Sequence, residues 1–183
     1  MQLLTTRAES EGALGMYADS IRDDQKIYGL AVRKQGAESF FAIATLSDTA
    51  LAECRAGRFE AGATNARKAY DASVKGFGAR AGLTGGAAHT LADCLIEVGR
   101  LDEASILLGA IDTAAVGQLT GSKDWFGAVE FSQAEIAFRR RDYDLARKHL
   151  AIATPILSRS DAEPYQQQAV RKLTAALEQV HPH

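Results

Sequence analysis

The side chains in this 183-residue sequence best suited to bind a metal, attack a carbonyl or move a proton are four histidines and two cysteines. None of His89, His149, His181 and His183 stands at ligand spacing from a second histidine or a cysteine on one helix. His181-Pro182-His183 reads as a frayed tail. Cys54 and Cys94 are 40 residues apart (94 − 54) and both lie in alanine-rich stretches of helical pattern. A disulfide or a redox pair is one reading of them. Two buried, reduced thiols in a cytoplasmic protein is the reading expected. Gly82-Leu83-Thr84-Gly85-Gly86 is rich in glycine but lacks a following Gly-Lys-Ser/Thr and has no strand before it, so it is no phosphate loop and reads as a connecting loop. Arg139-Arg140-Arg141, with Arg147 and Lys148 nearby, could meet a phosphate or an acidic partner. Such a run reads first as a solvated helix C-terminus, where the helix dipole favours cations. These residues define no catalytic set, no metal site and no cofactor, and the chain is not expected to be an enzyme.

The elements that position these residues repeat every 42 residues. Gly57-Arg58-Phe59 is followed by Gly99-Arg100-Leu101 and Arg141-Asp142-Tyr143, and both 99 − 57 and 141 − 99 are 42. A small residue stands three places after each ring or leucine: Gly62, Ala104 and Ala146. An alanine stands nine places before: Ala50, Ala92 and Ala134. Small residues held in register at this period imply stacked helical hairpins, since one hairpin cannot bury its apolar face alone. Alternation at strand period is absent. Helices are expected over about 59–75, 83–98, 102–116, 124–140, 142–158 and 164–180, with Asp102 and Asp142 as N-caps. Pushed back by 42, the period lands on Gly15, Tyr17 and Gly36, which makes 1–36 a diverged first hairpin. Pushed forward, Ala134 maps to Ala176, so the polar helix near 163–180 opens a further repeat and caps an exposed end. The expected organisation is one domain over 1–183, with hairpins at about 1–36, 39–76, 82–117 and 124–158 and the capping helix at 163–180.

Composition fits. Hydrophobic residues make up 46% and charged residues 24%, as in ordinary globular proteins, so a packed fold rather than disorder is expected. A net charge of −2 argues against nucleic acid as a partner. No apolar run approaches the roughly 20 residues that span a bilayer, so no membrane partner is expected. The residues from Met1 to Arg7 do not form a signal peptide, and the expected location is the cytoplasm.

On the turns, the small-residue register and the segment Leu91-Ala92-Asp93-Cys94-Leu95-Ile96-Glu97-Val98-Gly99-Arg100-Leu101-Asp102-Glu103-Ala104, the chain resembles the tetratricopeptide family. Its 42-residue period is similar to the longer variety found in kinesin light chains and in arrays fused to bacterial regulators and kinases. The resemblance covers about 39–158. It implies an all-α, right-handed solenoid of antiparallel hairpins that binds a protein or peptide without catalysis. In this family the first helix of each pair lines the concave face. Carried over by position, that face would hold Ser47, Leu51 and Arg55, then His89, Asp93, Ile96 and Glu97, then Phe131, Glu135, Phe138 and Arg139. The Lys/Asn clamp by which some family members grip acidic tails is not matched, because Ser47, Leu51, His89 and Asp93 occupy its places. Trp125-Phe126, in phase with Leu83-Thr84 and Phe41-Ala42, reads as packing between repeats. Exposed solenoid ends leave room for a homodimer. Two alternatives remain: a ligand- or peptide-sensing domain detached from a bacterial regulator or kinase, and an enzyme or accessory domain with a site in the groove.

Overall fold

A computed structural model of the chain describes residues 16–159 and 164–180. The first part of the hairpin expected over 1–36, Gly15 included, lies outside the described residues. Among the described residues every regular element is an α-helix. These are α1 (Tyr17–Gln35), α2 (Phe40–Arg55), α3 (Phe59–Phe77), α4 (Gly82–Glu97), α5 (Leu101–Gly109), α6 (Thr113–Thr120), α7 (Trp125–Arg139), α8 (Tyr143–Leu157) and α9 (Pro164–Glu178). The sequence period is visible in the element boundaries. Helices α1, α3, α5 and α8 begin at Tyr17, Phe59, Leu101 and Tyr143, each 42 residues after the last.

The turn between paired helices is built the same way three times. After α2, the Gly57 amide donates to the Cys54 carbonyl at 3.0 Å and the Arg58 amide to the Glu53 carbonyl at 2.8 Å. After α4, Gly99 bonds Ile96 and Arg100 bonds Leu95; after α7, Arg141 bonds Phe138 and Asp142 bonds Ala137. This paired pattern closes a helix when one residue takes the left-handed conformation. Gly57 and Gly99 do so at φ 77° and 79°, and Arg141 does so at 63°. The chain then turns back, and small residues let the two helices cross closely. Ala50, Ala92, Ala104, Ala134 and Ala146 are all fully buried, as their register requires.

The chain falls into two compact units, Met1–Asp112 and Thr113–His183. In the first, α1 packs on α2, α2 on α3, α3 on α4 and α4 on α5, and α2 also packs on α4. At the α1–α2 turn Glu38 pairs with Lys75 at the end of α3. The hydrogen bond, followed by the charge of Glu38, raises the Lys75 ammonium above the ordinary lysine value. In the second unit α6 packs on α7, α7 on α8, α8 on α9, and α9 also on α7. Its core joins Ala137, Leu150, Leu157, Val170, Leu173 and Leu177.

Four expectations need correction. Cys54 and Cys94 are not free thiols; they form a disulfide, because α2 and α4 bring their Cα atoms to 5.7 Å. Gly82–Gly86 is the first part of α4 and not a loop. There the Thr84 hydroxyl donates to the Gly78 carbonyl at 2.8 Å and so receives the Ser73 hydroxyl at 2.7 Å, which seats this helix start against α3. The helix expected over 102–116 stops at Gly109 and restarts at Thr113. Gly109 is costly within a helix, and Asp112-Thr113 favours a new start. Finally, Asp142 caps α8 by accepting the Leu145 amide at 3.1 Å, whereas Arg100 occupies the N-cap place of α5 and Asp102 lies in its first turn.

Candidate partner-binding site

Within the second unit, α7 and α9 enclose a groove of about 470 Å³. Helix α7 contributes Glu135, Phe138 and Arg139, and α9 contributes Tyr165, Gln168, Ala169, Lys172, Leu173 and Ala176. The helical spacing places Glu135, Phe138 and Arg139 on one face, at i, i+3 and i+4. On α9, Tyr165, Gln168, Ala169, Lys172, Leu173 and Ala176 follow the same rule over three turns. Phe138 is fixed from behind by an edge-on contact with Tyr143, with ring centroids 5.7 Å apart at 62°. Leu173 belongs to the buried core, so it forms the floor. Tyr165 is 56% exposed, the most exposed ring among the described residues. The end of α9 is held by Arg147 of α8, whose guanidinium donates to the Leu177 and Val180 carbonyls at 3.1 and 3.0 Å. That cation therefore satisfies the last carbonyls of a helix.

Chemically the groove offers one carboxylate, two cations, an amide and a phenol around an apolar floor. Its volume lies in the range of small-ligand and side-chain pockets. Arg139 and Lys172 outnumber Glu135, so the lining favours an acidic group on whatever enters it.

Of the residues expected on the face, Glu135, Arg139 and Phe138 meet here. Phe131 does not; it is half-buried and packs against the core of the same unit. In the first unit, Ser47, Leu51 and Arg55 follow one another along α2, and His89, Asp93 and Glu97 along α4, on two helices that pack together. Arg55 and Glu97 are exposed, and Leu51 is half-buried. The Ser47 hydroxyl is buried and has no hydrogen-bond partner among the described residues. His89 Nδ1 lies 3.4 Å from Asp93 Oδ2. Ile96, expected on this face, is 1% exposed and belongs to the core.

Sequence reading missed the whole α9 side of the groove, because its glutamines and charges read as a polar cap. The signal was present in the phase of Ala134 and Ala176, which makes α9 the equivalent of α7. Two other features are accounted for. Trp125 donates its indole N–H to the Thr120 hydroxyl at 2.8 Å, which ties α7 to α6. His149 Nδ1 is 2.7 Å from Glu130 Oε2, linking α8 to α7. Among the described residues no group of three or more His, Cys, Asp or Glu is placed to hold a metal ion, and no helix is long and apolar enough to cross a membrane. Comparison of the sequence with models of known families and with curated proteins finds no match.

Proposed function

We propose that this chain is a non-catalytic scaffold of the tetratricopeptide type that binds a protein or peptide through its first helices. The observation that carries this reading is the groove between α7 and α9, two helices in the same phase of the 42-residue repeat. The pairing of α2 with α4 supports it from the other unit, and the turn that recurs twice in the first unit and once in the second supports it further. Within each unit these contacts favour hairpins stacked first helix on first helix, as the tetratricopeptide type has them. The occupant is a peptide that places an apolar or aromatic side chain against Phe138, Tyr165 and Leu173 and a carboxylate near Arg139 and Lys172. This follows from the balance of charge in the lining. The cytoplasmic placement expected from the sequence went together with reduced thiols at Cys54 and Cys94 and is not carried into this reading.

The test is selection of peptides from a random displayed library on the full chain, followed by titration of the best binder. Enrichment of sequences pairing Asp or Glu with an aromatic residue, lost on Tyr165→Ala and on Lys172→Glu, is the expected result. Enrichment of basic peptides, or binding indifferent to both changes in a folded chain, overturns it.

A further inference from the structure

The disulfide between Cys54 and Cys94 has no place in the binding reading, and it is not part of the repeat. The residues in phase with Cys54 are Ile96 and Phe138, and those in phase with Cys94 are Ala52 and Ile136. Only this pair of neighbouring first helices, α2 and α4, carries sulfur at their crossing. The surroundings are shaped to it. A Cβ on Gly62 of α3 would lie 2.2 Å from Cys54 Sγ and 2.9 Å from the Ala50 carbonyl oxygen. The equivalent places in the later hairpins hold Ala104 and Ala146. The glycine that departs from the repeat therefore stands where the sulfur needs room. Both cysteines are shielded: Cys94 is 0% exposed and Cys54 7%.

The geometry points to a permanent staple, formed while the chain folds in a compartment that supplies a disulfide oxidant, that clamps α2 to α4 from inside. Burial sets the timing. In the packed unit an external thiol or disulfide cannot reach either sulfur, so exchange must precede the closing of α2 on α4. The chemistry needs a disulfide donor, either a small disulfide or a disulfide-bearing catalyst. One cysteine thiolate attacks a sulfur of the donor, forming a mixed disulfide and expelling the first donor thiol. The second cysteine thiolate then displaces the other donor thiol. The protein dithiol is oxidised, the donor is reduced to two thiols, and the two cysteine protons end on them. Compartments that maintain such donors are those where structural disulfides persist, not the reducing cytoplasm. The bond closes a loop of 40 residues in sequence separation, which spans all of α3 and most of α4. It also flanks the first-unit face directly, since Arg55 and Asp93 are the neighbours of the two cysteines.

The test traps thiols by acid in the chain's own cells, then alkylates in denaturant before mass analysis. The expected product is unalkylated at both positions and lighter than the dithiol by two hydrogens. Alkylation of both cysteines without reductant overturns the proposal. In parallel, the purified full chain is melted with and without dithiothreitol added in denaturant and then removed. Reduction should lower the melting temperature by about 10 °C and leave Cys54→Ala/Cys94→Ala unchanged. The folded, oxidised chain should resist millimolar dithiothreitol at room temperature for hours. Rapid reduction in the folded state, or an unmoved melting temperature, also overturns it. Where the double variant does not fold, the wild-type pair of melts decides alone.

Discussion

Arg141 is the one non-glycine residue with positive φ among the described residues, at a turn where the two earlier repeats use glycine. A side chain in that conformation costs about 1–2 kcal/mol. Glycine removes this cost but returns about 0.5–1 kcal/mol through the greater freedom of the unfolded chain. Arg141→Gly should therefore stabilise the protein by about 0.5–1 kcal/mol, read as a higher urea midpoint with an unchanged slope. A lower midpoint would show that the guanidinium contributes more than the backbone costs. Gly62 runs the other way. Its Cβ would press on a disulfide sulfur and on helix backbone, neither of which can swing aside. Gly62→Ala should cost about 2 kcal/mol or more. In the sequence, the buried alanines were legible because the period alone fixes where helices cross. Gly62 was legible only as one more small residue of that register, since the sulfur that explains why it is glycine comes from contacts across the hairpins.

Elements followed the sequence where a local signal and the repeat agreed, and departed from it where only one spoke. The starts of α3, α5 and α8 fall on the repeat. The break after Gly109 does not, because the period predicted a continuous helix and local glycine and cap residues overruled it. The glycine-rich start of α4 shows the reverse. Its composition suggested a loop, yet Thr84 and Ser73 supply hydrogen bonds that hold it in helix. The two aspartates once equal in the sequence now separate. Asp142 accepts the Leu145 amide, so Asp142→Ala should cost about 1 kcal/mol in chemical denaturation. Asp102 is exposed in the first turn of α5, two places after the N-cap position that Arg100 holds, so Asp102→Ala should cost less than Asp142→Ala. Equal losses would mean that the Asp142 cap on α8 contributes no more than the charge of Asp102 in the first turn of α5.

At the scale of the molecule, the expected face divides between two compact units, with Ser47, Leu51, Arg55, His89, Asp93 and Glu97 in one and Phe131, Glu135 and Arg139 in the other. The sequence could name the helices that carry it, because a 42-residue phase transfers from repeat to repeat. It could not say which residues open onto a cavity, because that depends on what lies opposite. Across from α7 lies α9, whose polar composition hid its part in the groove. Affinity is therefore expected from the second unit. Tyr165 offers an exposed ring beside two cations, so Tyr165→Ala should weaken peptide binding about 30-fold, the roughly 2 kcal/mol of a hot spot. Lys172→Glu should act mainly on the association rate and flatten its dependence on salt, as a charge at the rim of a site does. Phe131→Ala should first lower stability, because that ring packs on the core instead of lining the groove. Arg55→Glu and Glu97→Lys, in the first unit, should change affinity less than about twofold, below the roughly tenfold that 1.4 kcal/mol represents. Calorimetric titration of one selected peptide against all five variants, with association rates at two salt concentrations for Lys172→Glu and a urea titration for Phe131→Ala, separates these expectations. If the first-unit changes dominate while Tyr165→Ala is silent, the partner binds along α2 and α4, and the clamp between Cys54 and Cys94 lies beneath its site.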